Sequence, residues 1–303
     1  MTPNSPSVLL FVQHGWADTN GAMARLAQRI APPRTRIIAP NLGWWRTWWR
    51  IDPLVEDVEA IAHQTIAQYP HTPIRIVGHS MGGLIWLEVL HRHPEWWLQV
   101  ESLVLVGSPV SGSDLCRLMD PLALGLGMAR DLGKNRREIA SAIAAQIPTL
   151  SIASNTDGGS DGLVMLGATQ FDHAHHVVLP DILHSAQRHD QAIDLAIQAF
   201  WQSPRSPLPV QPSPELDIIQ RLRTVPGMTD AHSRDFDKAK VALIFDSGLS
   251  LRRWKNPVRV DHVFLASPQS HCLYSGFVGW IHAAALRRTL QDIQQDYSAS
   301  KAP

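Results

Sequence analysis

One short stretch of the chain has the residue types of a nucleophilic serine site. It reads Gly78-His79-Ser80-Met81-Gly82-Gly83, which is G-x-S-x-G with an additional glycine. Glycines two residues before and two residues after Ser80 leave room for a sharp turn from a strand into a helix. The first N–H groups of such a helix face the developing negative charge of an oxyanion. The stretch therefore predicts that Ser80 attacks a carbonyl carbon.

The segments on either side of Ser80 have the pattern of a parallel sheet. Short apolar runs predict buried strands at residues 8–12, 36–40, 74–78, 102–106, 149–153 and 176–179. Helical patterns lie between them, at 21–30, 54–69, 82–93 and 185–201. Because strands that alternate with helices are joined by right-handed crossovers, this order predicts a doubly wound, mostly parallel α/β sheet.

The composition changes after Trp201. Residues 203–214 contain five prolines, which predicts an extended, semi-rigid linker. Beyond it we expect a small α+β unit, with helices at 215–223, 230–239 and 279–297 and strands at 241–245, 249–254 and 261–266. The predicted domains are therefore 1–203 and 215–303, joined by a linker at 204–214. No function is assigned to the second domain.

Residues 7–201 resemble the α/β-hydrolase superfamily and, within it, the lipase-like serine esterases. Besides the Ser80 stretch, the resemblance rests on Gln13-His14-Gly15-Trp16, on residues 107–113 and on Ser160-Asp161-Gly162-Leu163-Val164. Residues 107–113 are similar to a lipase Gly-Thr-Pro-His-x-Gly-Ser stretch, except that Val110 replaces the histidine. The resemblance implies a hydrolase that cleaves esters through an acyl-enzyme intermediate, with neither a cofactor nor a metal ion.

The resemblance also indicates the acid and the base that would serve Ser80. Similar lipases have an Asp-Gly-x-Val stretch whose aspartate is the acid, and Asp161 occupies that position here. Asp157 is the competing acid, since it lies closer to the end of the preceding strand. The base follows the acid in the family's chain order, which favours His184. His189 is the weaker alternative.

The same resemblance implies an oxyanion hole and leaves several histidines without a catalytic role. The backbone N–H groups of Trp16 and Met81 would stabilise the oxyanion. His14 lies at the wrong place in the chain order to be the base, and we expect it to be structural. A run of histidines near the last strand has no acidic partner of ligand type, so we expect no metal site there; these residues are His173, His175 and His176.

The substrate side of the predicted site contains an unusual tryptophan-rich stretch, Trp44-Trp45-Arg46-Thr47-Trp48-Trp49. It follows the second strand, and a spacing of four lets Trp44 and Trp48, or Trp45 and Trp49, share one helical face. Three interpretations stay open: the wall of an apolar substrate pocket, packing against the core, or transient docking on a membrane surface. Residues 113–146 are predicted to form a short helical cap, with an ordinary crossover helix and a long loop as the alternative.

Bulk properties restrict the class of protein further. The chain has 303 residues, is 45% hydrophobic and has no net formal charge, which predicts a sizeable core and argues against a general nucleic-acid binder. Residues 222–231 are distantly similar to a DNA-binding helix-hairpin-helix turn, but Thr229 replaces its second glycine, so we expect no nucleic-acid partner. Cys116 and Cys272 define no disulfide framework. Without a signal peptide or membrane span, we expect a cytoplasmic protein.

Two classes of function remain open at this stage. The first is a hydrolase of small apolar esters, with thioesters as a variant of the same chemistry. The second is a non-catalytic binding protein on a hydrolase scaffold. The presence together of Ser80, Asp161 and His184 favours the hydrolase, because a decayed scaffold usually loses one of them. The oligomeric state stays open.

Overall fold

The computed structural model describes residues 5–112, 127–202, 206–297 and 300–301. The chain folds into two compact units, Met1–Val210 and Gln211–Pro303. Part of the proline-rich segment pairs with the first unit: the N–H of Leu208 donates to the carbonyl of His173 at 3.0 Å, and Ser206 accepts a bond of 3.0 Å from His175. The assignment of residues 204–214 as a linker stays a prediction.

The first unit is built on six parallel strands. They are β1 (Val8–Gln13), β2 (Thr35–Ile38), β3 (Ile74–His79), β4 (Val100–Val106), β5 (Thr149–Asn155) and β6 (His175–Pro180), in the order β2-β1-β3-β4-β5-β6. Every residue of β1 is buried. That burial explains why the central strands are continuous apolar runs, since a parallel sheet is covered on both faces. The predicted doubly wound α/β fold is confirmed.

Helices cover both faces of this sheet. They are α1 (Gly21–Ile30), α2 (Asp52–Gln68), α3 (Met81–Arg92), α4 (Gly127–Leu132), α5 (Arg137–Ala144) and α6 (Gln191–Gln202). The apolar sides of α1 and α6 pack in one core with Leu10 and Val12 of β1, whereas α2 to α5 pack in the other with Leu9 and Phe11. Alternate residues of β1 therefore serve opposite faces, as the two-residue period of a strand requires.

One helix prediction for this unit is wrong at its start, and the predicted cap stays a prediction. The helix predicted at 185–201 begins only at Gln191, because residues 183–189 make the short turns that carry the candidate base. Within the predicted cap at 113–146, residues 113–126 lie outside the described residues. The following α5 packs against the same core as α3 through Ala140 and Ile143, as a crossover helix does.

The second unit is an antiparallel sheet with two helices in its core. Its elements are α7 (Pro214–Arg223), β7 (Thr229–Asp230), β8 (Lys240–Ile244), β9 (Ser250–Lys255), β10 (Asp261–Ala266), β11 (Cys272–Val278), α8 (Ala283–Asp296) and β12 (Ser300–Lys301). The strand order is β12-β8-β9-β10-β11-β7. In α8, Leu286, Leu290 and Ile293 are buried at spacings of four and three, which gives the helix one apolar face.

In the second unit, one predicted helix is wrong and one strand was missed. The helix predicted at 230–239 is instead β7 and a 3-10 helix, Ser233–Lys238, in which only Phe236 is buried. One buried residue cannot form the apolar stripe that stabilises a helix. The strand β11 was not predicted, because Ser275 and Gly276 interrupt its apolar residues. Among the residues that the structure describes in either unit, no helix has the length and apolar character needed to span a membrane.

Candidate active site

Ser80 occupies the turn between β3 and α3 in a backbone conformation that L-residues rarely adopt. Its φ is 55° and its ψ is −125°. Such a conformation costs on the order of 1–3 kcal/mol and persists only where the surroundings enforce it. Here the N–H of Ser80 donates to the carbonyl of Val106 on β4 at 2.8 Å, and its carbonyl accepts from Gly83 at 3.1 Å. These bonds hold the turn on both sides of the serine.

The glycines around Ser80 have no room for a side chain. A Cβ atom on Gly78 would lie 2.5 Å from the Cα of Gly83, and one on Gly82 would lie 2.3 Å from the carbonyl oxygen of Gln13. Both obstacles are backbone, which cannot move aside as a flexible side chain can. Gly78 and Gly82 are therefore required because the strand β3, the start of α3 and the end of β1 come into close backbone contact, and not only because the turn needs a flexible backbone.

Asp161 and His184, the predicted acid and base, are in contact. The Nδ1 of His184 lies 2.7 Å from Oδ2 of Asp161, and both residues are buried. The other carboxylate oxygen of Asp161 accepts from the backbone N–H groups of Leu163 at 3.0 Å and Val164 at 2.7 Å. Since an ionised carboxylate only accepts, Nδ1 carries the proton. The Nε2 of His184 is then the nitrogen that can act as a base, and His184 and Ser80 line the same cavity.

The competing acid and base do not join this arrangement. Asp157 accepts from the backbone N–H and the hydroxyl of Ser160, both at 2.7 Å, so it stabilises the loop that carries Asp161. His189 is exposed, and its N–H donates to the carbonyl of Ala186 within a turn. The structure thus places Asp161 rather than Asp157 beside His184.

The oxyanion-hole candidates, Trp16 and Met81, line the cavity together with Ser80. The loop that follows β1 passes directly over the nucleophile: a Cβ atom on Gly15 would lie 2.9 Å from the Cβ of Ser80 and 3.4 Å from the backbone nitrogen of Met81. Gly15 is thus needed for the close approach. This approach puts the peptide of Trp16 next to the start of α3, where Met81 has its N–H.

His14 has a structural role in this loop, as predicted from its position in the chain. Its Nε2 accepts from the N–H of Leu42 at 3.1 Å, so Nδ1 carries the proton and donates to the carbonyl of Gly15 at 3.0 Å. Burial lowers the pKa of His14, which keeps the ring neutral. Because N–H and C=O of a trans peptide point in opposite directions, this bond turns the N–H of Trp16 away from His14.

The histidines of the last strand region make separate contacts. His173 bonds to the carbonyl of Leu208 and His175 to that of Ser206, while His176 contacts the hydroxyl of Thr169 at 2.9 Å. Burial lowers the pKa of His176 to about 4. Within the described part of the chain, no group of three or more His, Cys, Asp or Glu side chains is arranged to hold a metal ion.

The cavity beside Ser80 has a volume of about 230 Å³ and a mostly apolar wall. Trp16, Pro109, Leu132, Leu163 and Val164 supply that wall. Trp44, Trp45, Trp48 and Trp49 do not line the cavity, although the ring of Trp48 packs 4.3 Å from that of Trp16. The tryptophan-rich stretch therefore packs, through Trp48, against a residue of the cavity wall and does not form the wall itself.

Residues 4–160 of the chain match the family model described as serine aminopeptidase, S33. This match covers more than half of the chain. The chain belongs to this family of α/β hydrolases. The matched segment contains Ser80 but ends before Asp161 and His184, whose relation to Ser80 therefore rests on the geometry described above. A search of the curated proteins finds no match.

Solved structures share the fold of this hydrolase at low sequence identity. Est1E from Butyrivibrio proteoclasticus, solved with ferulic acid bound, is 13% identical, with a TM-score of 0.53 over 67% of this chain and 91% of that one. The propeptide form of the lipase BlEst2 from Bacillus licheniformis is 12% identical, with a TM-score of 0.51 over 89% of this chain and 64% of that one. At such identities the likeness shows the fold alone.

Gln187 is a residue of the candidate site that the sequence analysis missed. Its Nε2 donates to Oδ2 of Asp161 at 2.8 Å, beside the bond from His184, and its side chain is fully buried. Gly107 makes room for it, because a Cβ atom there would lie 2.3 Å from Oε1 of Gln187. The only signal in the sequence is a position three residues after His184, which is not distinctive by itself.

His79, the residue before the candidate nucleophile, contacts the candidate base. Its Nε2 donates to the backbone carbonyl of His184 at 3.1 Å, and the two rings lie 4.8 Å apart. Burial, and then the charge of the nearby His184, hold the pKa of His79 well below its ordinary value. A neutral His79 can thus support the segment of His184 without competing with it as a base.

An ion pair joins the two segments on either side of the cavity. Arg188, which lines the cavity, donates to the carboxylate of Asp18 and to the carbonyl of Ser185. Asp18 follows Trp16 on the loop after β1, while Arg188 follows His184. The pair therefore connects the loop of an oxyanion-hole candidate to the turn of the candidate base.

Proposed function

We propose that this α/β hydrolase is a serine esterase that cleaves carboxylic esters with apolar acyl groups. The observation that carries the proposal is the contact of the buried Asp161 with His184, which lines the same cavity as Ser80 on its strained turn. Nucleophile, base and orienting acid are the three parts that activation of a serine requires. A binding protein on a hydrolase scaffold has no need to retain all three.

The reaction follows from these positions. His184 takes the proton of the Ser80 hydroxyl as its oxygen attacks the carbonyl carbon, and the N–H groups of Trp16 and Met81 stabilise the oxyanion. The protonated His184 then gives its proton to the departing alcohol, which leaves an acyl group on Ser80. Water, deprotonated by His184, releases the acid and restores the enzyme. Asp161 keeps the proton of the imidazole on Nδ1 throughout.

The cavity wall supports an ester rather than the free amino terminus of a peptide. An aminopeptidase binds a positively charged α-amino group, for which a carboxylate in the pocket is the natural partner. Among the described residues that line the cavity, the charged side chain is Arg188, a cation, and the remainder is mostly apolar. At about 230 Å³ the cavity is smaller than the roughly 300–1,000 Å³ of drug-sized sites, which favours acyl chains of short to medium length.

The test compares Ser80→Ala with Ser185→Ala, a serine in the same cavity. A fluorophosphonate probe should label the wild type and Ser185→Ala but not Ser80→Ala. Turnover of p-nitrophenyl butyrate should fall by about 10⁴ or more only in Ser80→Ala. Leucine p-nitroanilide and a butyryl thioester are run beside it. Faster cleavage of the anilide would refute the ester assignment, and full ester turnover by Ser80→Ala would refute the mechanism.

A further inference from the structure

Four tryptophans next to the cavity form an exposed aromatic surface, which we call the tryptophan surface: Trp44, Trp45, Trp48 and Trp49. Trp45 and Trp49 are 75% and 73% exposed, and Trp44 and Trp48 are 38% and 36% exposed. A contiguous apolar patch of this kind on a protein surface marks an interaction site. Two indoles that are three-quarters exposed can gain much more contact with a partner than they have in the free protein.

The fold holds this surface in place. Thr47, at its centre, is fully buried; its hydroxyl donates to the carbonyl of Trp44 at 2.6 Å and accepts from the N–H of Ala17 at 3.0 Å. The rings of Trp44 and Trp45 pack edge to face at 4.6 Å. The hydrogen bonds of Thr47 thus hold the turn in a conformation that leaves the indoles of Trp45 and Trp49 exposed to solvent.

The charges at the tryptophan surface point to a partner without a large net charge. Arg46 pairs with Asp57, and Arg50 pairs with Asp52 at 2.9 Å. Each exposed guanidinium thus has a carboxylate beside it, so the surface has no cationic excess of the kind that nucleic acid or a strongly anionic lipid attracts. A zwitterionic lipid headgroup layer fits this balance of charges.

The chemistry of tryptophan points to the same partner. An indole has a large apolar ring and one N–H donor, and tryptophan is accordingly enriched where hydrocarbon meets lipid headgroups. Arginine side chains also suit this layer, since the apolar stem can lie against hydrocarbon while the guanidinium stays among headgroups and water. A small ligand would need a concave site, whereas Trp45 and Trp49 are the most exposed part of this stretch.

The position of the tryptophan surface gives such docking a purpose. Trp48 packs on Trp16 at 4.3 Å, and Trp16 lines the cavity of Ser80. The packed side chains of Trp48 and Trp16 therefore connect the tryptophan surface to the cavity that contains Ser80. An apolar ester that partitions into lipid would be concentrated at this place.

We propose that the tryptophan surface docks this hydrolase on the surface of a zwitterionic phospholipid bilayer. The idea that docking brings ester substrates to Ser80 rests on the proposed function, whereas binding to the bilayer does not require catalysis. The binding test is therefore done without an ester substrate, so that its result is independent of turnover.

The test is sedimentation of the full chain with sucrose-loaded vesicles of phosphatidylcholine. The double variant Trp45→Ala/Trp49→Ala should lower the partition coefficient by roughly a hundredfold, about tenfold for each indole that no longer buries its ring in lipid. Trp280→Ala is the matched control, because Trp280 is 69% exposed and lies in the second unit. It should bind like the wild type. Circular dichroism checks that all variants are folded.

Three results would overturn the proposal. The first is a wild-type chain that stays in the supernatant. The second is an equal loss of binding in Trp280→Ala and the double variant. The third is a wild-type chain that self-associates but does not bind vesicles, together with a double variant that no longer self-associates. This result would assign the tryptophan surface to a second copy of the chain. Vesicle binding by a wild type that cleaves no ester would leave docking intact and refute the proposed function alone.

Discussion

Replacing Asp161 with asparagine should invert the tautomer of His184. Oδ1 of Asp161 accepts from the backbone N–H groups of Leu163 and Val164, so an asparagine must keep its oxygen on that side. Its NH₂ group then faces Nδ1 of His184. Because an NH₂ group only donates, Nδ1 would become the acceptor and the imidazole proton would move to Nε2. The nitrogen that should take the proton of Ser80 would already be protonated.

The same substitution should cost little stability. Gln187 now donates to the oxygen that the NH₂ group would replace, and its own Oε1 is buried without a hydrogen-bond partner among the described residues. A half-turn of the Gln187 amide would present Oε1 to the new NH₂ group and restore a bond. We therefore expect Asp161→Asn to stay folded, with a free energy of unfolding within about 2 kcal/mol of the wild type.

The expected loss of activity is large because the base itself is disabled. A wrong tautomer of this kind costs about 10⁴ in kcat in serine proteases, and we expect a similar loss in p-nitrophenyl butyrate hydrolysis between pH 7 and 8. Asp157→Asn is the matched control, since Asp157 contacts Ser160 but not His184, and it should retain most of its activity. Normal turnover by Asp161→Asn with an inactive Asp157→Asn would show that the acid is Asp157.

Three further predictions concern Gln187, His176 and the wall of the cavity. Gln187→Leu should lower kcat/KM by about tenfold, much less than Asp161→Asn, because Asp161 keeps three of four bonds; equal losses in the two variants would contradict this. His176→Gln should reduce the loss of stability on acidification. Burial lowers the pKa of His176 to about 4, so below about pH 6.5 the unfolded chain binds a proton that the folded chain does not. This difference lowers the free energy of unfolding of the wild type by up to about 3 kcal/mol at pH 4. Urea unfolding at pH 7 and pH 4.5 measures this, and an unchanged difference would refute it. Esters of butyrate or hexanoate should exceed acetate in kcat/KM by roughly ten- to a hundredfold, and Leu163→Ala should flatten that preference; an optimum at acetate would show that the cavity does not bind acyl chains.

The sequence predicts the strands of the first unit well because each is nearly continuous in apolar residues. A strand such as Val8–Gln13 is buried on both faces, so its local composition already reflects its final surroundings. The second unit is harder, since its antiparallel strands mix buried and exposed positions. In β11, Ser275 is buried within the sheet although its residue type indicates a loop. Such a position is decided by neighbouring strands, which a local pattern does not contain.

The candidate site divides in the same way. Ser80 is found from the spacing of its glycines, because the turn is a local structure. Asp161 and His184 are found only by resemblance to a family, since they lie 23 positions apart in the chain. Gln187 escapes both methods: its contact with Asp161 depends on long-range packing, and glutamine after a histidine is common. For the tryptophan-rich stretch, the spacing of four overstates the helix, because the 3-10 helix there contains only Arg46–Trp48.

Two glycines interlock the turn of Ser80, the candidate nucleophile, with the loop that follows β1. A side chain on Gly15 would strike the Cβ of Ser80, and one on Gly82 would strike the backbone of Gln13. Each segment thus lacks a side chain where the other passes, which brings β1 and the turn of Ser80 into direct backbone contact. Neither segment can shift without moving the other, so the position of Trp16 relative to Ser80 is fixed by packing before any substrate arrives. Preorganisation of this kind is what makes an N–H donor effective for an oxyanion, because little rearrangement remains for the reaction itself.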